Sequence, residues 1–186
     1  MIKGGGKKKG SSFEREICKK LSLWISEGEK DDVFWRSAMS GGRSTVGVKK
    51  GIKRSQQVGD ISAIDVIGQK FIDIFLVECK FYKNIQLHSL LFGKPSKNSI
   101  HEFWTVLEKK AKEFYKEPML IFKQNKLPVL IGLRGESWCC SLLADFRILP
   151  IAKFLNTDPR FYLYEFDKFL KITNPSILEI QYHLIK

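Results

Sequence analysis

Two acids and an amine stand in an apolar part of the chain: Asp60 opens "GDISAI", and Glu78 and Lys80 close "FLVECK". Side chains at i and i+2 of a β-strand share a face, so Glu78 and Lys80 stand side by side, in line with Ile72, Ile74 and Leu76. If Val58–Ile67 and Phe71–Phe81 are paired strands joined by a turn around Gly68, Asp60 lies across from Glu78 and Lys80. Two carboxylates at such close range repel unless a cation joins them, and an oxygen-only site suits Mg²⁺ or Mn²⁺. An ammonium fixed beside them can stabilise an attacking hydroxide or a phosphorane-like transition state. Metal-activated water next to such a cation is chemistry for phosphodiester hydrolysis.

A third acid comes from the first helix, "SSFEREICKKLSLWISEG". Ser11 or Ser12 can cap it, Phe13, Ile17, Leu21 and Trp24 form its apolar stripe, and Gly28 follows its end. At 100° per residue Glu14 falls on or beside that stripe, whereas Arg15 and Glu16 point away. An inward carboxylate needs a partner. It is either the capping-box residue for Ser11 or a member of the same acid cluster. Asp65 and Asp73 compete for a role but lie on the opposite strand faces from Asp60 and Glu78. Glu108-Lys109-Lys110 repeats the E-x-K spacing on a helix, with no strand-borne Asp ahead of it.

The charge balance points to the partner. Thirty-two Lys and Arg against 20 Asp and Glu give +12, as expected of a protein that meets a polyanion such as nucleic acid or an acidic membrane. From Gly41 to Gly59 there are five basic residues (Arg43, Lys49, Lys50, Lys53 and Arg54) and no acid. That Gly-rich segment is longer than ordinary loops and reads as a phosphate-contacting one. No apolar run is long enough to span a bilayer, and the basic N-terminus lacks a signal peptide's apolar region. Cys18, Cys79, Cys139 and Cys140 form no CxxC pair and read as free thiols in a reducing compartment. The location these features imply is cytoplasmic, or the host cytoplasm if the chain is phage-encoded.

The elements that must position these residues follow from periodicity. Residues 1–10 read as a flexible basic arm, 33–37 ("VFWRS") as a strand, and 100–117 as a helix. That helix has a Ser99/Glu102 capping box, a stripe of Phe103, Trp104, Leu107, Ala111, Phe114 and Tyr115, and Pro118 as its stop. "MLIFKQ" and "PVLIGLR" are strands; helices are expected around 145–155 and 162–170, and "ILEIQYHLI" as a final strand. The order suggests an α/β fold with a mixed central sheet flanked by helices. The division expected is an arm (1–10), a core (11–134) and a C-terminal extension (135–186) packed on the same domain.

"FERE" on the first helix, "WRS" on a strand, a Ser/Gly-rich loop, "GDISAI" and "LVECK" together resemble the PD-(D/E)XK nuclease superfamily. Within it the pattern is similar to the archaeal-type Holliday-junction resolvases. The resemblance spans about residues 10–134 and implies a restriction-endonuclease-like core. It implies Asp60, Glu78 and Glu14 as Mg²⁺ ligands, with Mn²⁺ able to substitute, and Lys80 as the catalytic lysine. Arg15, Arg36 and Ser40 match DNA-contacting positions, with Arg43, Lys49, Lys50, Lys53 and Arg54 in the basic loop beyond. It also implies a homodimer that cuts four-way junctions symmetrically. Gly59 stands where the superfamily name has Pro, the 41–59 loop is long for a compact resolvase, and 135–186 has no counterpart. Two other readings follow: a repair, restriction or phage nuclease acting on other DNA, and a nucleic-acid-binding module without catalysis. The acids weigh against the second, because clustered acids facing phosphate do not help a binder.

Overall fold

The computed structural model describes residues 5–37, 58–85, 99–145, 147–155, 160–176 and 178. The backbone divides into two compact units, Met1–Cys79 with Asn174–Lys186, and Lys80–Thr173.

The first unit begins with helix α1, Gly5–Ile25. It starts ahead of Ser11 and Ser12, so neither serine is its cap, and Gly5–Gly10 belong to the helix rather than to a flexible arm. Phe13, Ile17, Leu21 and Ile25 are buried, as the 3.6-residue period requires, while Trp24 is half-buried and meets Phe71 edge-on at 6.1 Å. Gly28, at φ +94°, ends the helix by donating its N–H to Leu23 O at 2.7 Å. Buried Ser22 then ties helix to strand: its hydroxyl donates to Cys18 O (2.8 Å) and accepts from Phe34 N–H (2.9 Å).

Strand β1 (Phe34–Arg36) pairs antiparallel with β2 (Ile61–Ala63), in the register Phe34↔Ala63, Trp35↔Ser62 and Arg36↔Ile61. The expected partnership of Val58–Ile67 with Phe71–Phe81 does not form. Asp65 instead caps a 3₁₀ turn over Val66–Gly68, its carboxylate accepting from Ile67 N–H. Helix α2 (Gln69–Ile74) follows, and strand β3 begins only at Phe75. A continuous apolar run fits helix and strand equally well by periodicity alone. Here the Gln69 side chain donates to Asp73 at helical i, i+4 spacing, 2.8 Å. Ile72 and Ile74 are therefore helical, and β3 runs Phe75–Tyr82.

The second unit opens with the end of β3 and helix α3 (Ile100–Glu113), whose Ser99 hydroxyl accepts from Glu102 N–H at 3.1 Å as the capping box requires. The helix ends at Glu113, before Phe114, Tyr115 and Pro118. Tyr115 takes φ +55° and is 94% exposed, so it lies outside the apolar stripe. Strands β4 (Glu117–Gln124) and β5 (Val129–Arg134) follow, with Pro118 inside β4. Residues 135–173 differ from expectation: helix α4 (Trp138–Asp145), strands β6 (Ala152–Phe154) and β7 (Phe161–Glu165), and helix α5 (Phe166–Ile172). The sheet order is β3-β4-β5-β7-β6, and β4–β5, β5–β7 and β7–β6 are antiparallel. Asn125 N–H donates to Tyr82 O at 3.3 Å, so the ends of β3 and β4 coincide; α3 is the crossover of this parallel pair and the sheet is mixed. Gly132 makes room for Phe161, whose ring lies 4.5 Å from that of buried Trp104. The expected strand "ILEIQYHLI" lies outside the described residues apart from Leu178.

Candidate active site

Burial along β3 shows why an apolar strand ends in charge. Phe75, Leu76 and Val77 are buried in succession; from there Cys79 stays buried while Glu78 and Lys80 are partly exposed. One face of the strand therefore emerges where the charged pair begins. The Lys80 ammonium lies 5.8 Å from the centroid of the Phe103 ring, within cation–π range.

Asp60 reaches β3 by hydrogen bonds of its own rather than through a strand pair. Its N–H donates to Val77 O (2.9 Å), its Oδ2 accepts from Cys79 N–H (2.8 Å), and its carbonyl accepts from Ser37 N–H (2.8 Å). Asp60 is thereby fastened to the two residues that flank Glu78, by its backbone N–H to Val77 and by its carboxylate to Cys79. Gly59 makes this approach possible. It adopts φ +103°, and a Cβ there would stand 2.8 Å from Val77 O. Proline, fixed near φ −65°, could not take this conformation, which explains why glycine stands where the superfamily name has proline.

Glu14 sits on the α1 face turned toward β1, where its Oε2 accepts from Arg36 Nε at 2.8 Å. With Ser11 inside the helix, the capping-box alternative for Glu14 falls away. Arg36 is on the buried side of β1 together with Phe34, so the inward acid meets an inward cation. The sequence contained a signal for this pair: alternation along "FWR" turns Arg36 to the side opposite Trp35.

Two thiols register the field of the acids. Burial pushes Cys18 up to about 12, with Glu14 and Asp60 adding to the shift and Arg36 opposing it. Burial, then Asp60, Cys18, Glu14 and Glu78, push Cys79 well above the ordinary thiol range. All three acids therefore act at the Cys79 sulfur. Neither thiol is a nucleophile near neutral pH.

As they stand, no three His, Cys, Asp or Glu side chains among the described residues are grouped to hold a metal ion. One Asp60 oxygen is committed to the Cys79 amide and Glu14 is turned to Arg36. The donor chemistry, carboxylate oxygen throughout, is that of a Mg²⁺ or Mn²⁺ site. Arg15 is exposed on the outer side of α1. Ser40, Arg43, Lys49, Lys50, Lys53 and Arg54 lie outside the described residues. The discounted acids have other partners: Asp65 meets the Lys30 ammonium at 2.7 Å, and Asp73 accepts from Gln69. Glu108, the helical E-x-K acid, is 4% exposed and bound to Arg134 at 2.8 Å. The four thiols are all free and buried.

A mixed five-stranded sheet with flanking helices, with Asp60 bonded to the strand that carries Glu78-Cys79-Lys80, is consistent with a restriction-endonuclease-like core of the PD-(D/E)XK type. The chain belongs to the family described as phage putative PDDEXK endonuclease, whose model matches residues 5–179. No curated protein and no solved structure matches it. Among the described residues no helix is long and apolar enough to cross a membrane.

Proposed function

We propose that this chain is a Mg²⁺-dependent, structure-selective DNA endonuclease that hydrolyses phosphodiester bonds in branched DNA, with the four-way junction as its first substrate and a homodimer as its working form. The observation that carries the chemistry is the fastening of Asp60 to Val77 O and Cys79 N–H, on either side of Glu78. Asp60 and Glu78 are the residues that would hold the cation. Glu14 would join them only by exchanging its bond to Arg36. When bound, a divalent cation supplies Lewis acidity at the phosphoryl oxygens and lowers the pKa of water.

The chain's own residues do the rest. Two hydrogen bonds hold the Asp60 backbone and one holds its carboxylate before substrate arrives, so little reorganisation is needed during reaction. Lys80, two residues beyond Glu78 on one strand, brings positive charge to the phosphorane as it gains negative charge. Arg36, if released from Glu14, has a guanidinium suited to bidentate phosphate contact. The +12 charge draws the polyanion in, and the basic segment around Arg43, Lys49, Lys50, Lys53 and Arg54 is assigned to its backbone.

The family description names a phage endonuclease and no substrate, and fits a second substrate reading equally: a phage nuclease acting on other DNA forms. A labelled four-way junction, a flap and a linear duplex, each incubated with Mg²⁺ or Mn²⁺, separate the two. Paired symmetric nicks confined to the junction support the resolvase; cleavage of flap or duplex at equal rate supports the phage alternative.

A further inference from the structure

The β1–β2 ribbon has two unlike faces. On the inner one Phe34 and Ile61 are buried and Arg36 holds Glu14. On the outer one Trp35 is 51% exposed opposite Ser62. Ile64 N–H donates to Val33 O at 2.9 Å, which carries the ladder one step past β2. Ile64 therefore shares the outer face with Ser62, diagonal to Trp35, and it is 63% exposed, while its cross-strand partner Val33 is buried and closes that end of the face. Of the four tryptophans, Trp35 alone is exposed; Trp104 is buried, and Trp24 and Trp138 are half-buried.

We propose that Trp35, flanked by Ile64, is a stacking platform for an unstacked nucleobase of the DNA strand whose backbone runs past Asp60. The proposal takes the placement of that backbone from the nuclease reading. Trp35↔Ser62 is the register pair next to Arg36↔Ile61, and Asp60 directly precedes Ile61. At about 3.3 Å per strand residue the platform stands roughly 7 Å along the ribbon from the acid. DNA rises about 3.4 Å per nucleotide, so the base in question belongs one or two nucleotides from the phosphate at Asp60. Charge selects the occupant. Arg36 faces the other way, toward Glu14, so the selection rests on the whole chain: an exposed indole on a chain of +12 suits a base attached to a polyanion better than an uncharged apolar partner. Basic grooves with exposed aromatics hold single-stranded bases in this way, whatever their sequence. A branch point or bulge is where DNA offers such a base, so the platform would supply selectivity for structure over sequence.

The test uses the full chain in EDTA, where no cutting occurs, with two labelled DNAs: a duplex carrying one unpaired thymine and a fully paired duplex of equal length. Trp35→Ala is expected to weaken bulged-duplex binding about tenfold or more, with paired-duplex binding changed by less than about twofold. Trp35→Phe keeps most of the affinity, and indole emission is quenched by the bulged DNA only when Trp35 is present. Equal losses on both DNAs, or no loss on either, overturn the platform. So does a fall from dimer to monomer mass in Trp35→Ala by light scattering, which would mean that a second copy covers this face. The two readings fail separately. A parent protein that cuts no DNA with Mg²⁺ or Mn²⁺ but shows the Trp35-dependent preference loses the nuclease reading and keeps the platform. A parent that cuts, with bulge binding indifferent to Trp35, does the reverse.

Discussion

Replacing Asp60 by asparagine and by alanine separates its structural work from its chemical work. The residue is 8% exposed and its carboxylate accepts the Cys79 N–H at 2.8 Å. Alanine leaves that buried N–H without the carboxylate, at a cost of about 1–3 kcal/mol. Asparagine retains an acceptor of the same shape, and losing only the charge assistance costs less than about 1.5 kcal/mol. Chemistry does not follow that order. Both variants lack the negative charge that would hold a cation, and a Lewis acid contributes several kcal/mol to phosphoryl transfer. Cleavage should therefore fall by roughly a thousandfold or more in Asp60→Asn as well as in Asp60→Ala. Urea unfolding midpoints and nicking of supercoiled plasmid with Mg²⁺, measured on the same preparations, give the two readouts. Asp60→Asn that nicks within about tenfold of the parent would refute the reasoning, because the charge would then be dispensable.

Gly59→Ala places a Cβ 2.8 Å from Val77 O at φ +103°; a stability loss of about 1–3 kcal/mol should appear in urea, with cleavage lost beyond what unfolding explains. Arg134→Met leaves the buried carboxylate of Glu108, bound at 2.8 Å, with only the exposed Lys112 at 3.6 Å, and should cost about 2–4 kcal/mol, part of it recovered in Glu108→Gln/Arg134→Met by the same measurement. Burial raises Glu117 above its ordinary 4.5, against the pull of Arg134 and with Glu108 adding to the rise. A carboxyl held more tightly protonated when folded stabilises the fold below the unfolded value and loses that contribution as pH rises through the folded one. Glu117→Gln should therefore gain in thermal midpoint over the parent as pH goes from about 4 to about 7; a difference independent of pH would show that Glu117 is not the group involved.

The directions of single side chains were more legible in the sequence than the scaffold between them. Glu14 could be placed inward from the helical period alone, and Glu78 and Lys80 from strand alternation, because both signals are local. Asp60 was brought to β3 for the wrong reason. The apolar run from Phe71 predicts one strand paired with Val58–Ile67, whereas Gln69–Ile74 is helix and Asp60 makes its own bonds to Val77 and Cys79. A run apolar on all sides carries no period to tell helix from strand. Tyr115 was misplaced because aromatic spacing continued past Glu113, where the backbone turns to positive φ. The last fifty residues were the least legible: β6 and β7 are short, and their place is set by pairing with β5 rather than by local pattern. The Glu14–Arg36 pair was missed although an inward acid and an inward arginine were both visible.

The most direct measurement is cleavage of a labelled four-way junction by the purified chain, with Mg²⁺, with EDTA, and with Mg²⁺ after Lys80→Ala. Metal-dependent nicks that vanish in EDTA and in Lys80→Ala, while that variant still binds the junction, are the result this account predicts. Nicks that persist in Lys80→Ala, or junction, flap and duplex all left intact by the parent with Mg²⁺ and Mn²⁺, would contradict it.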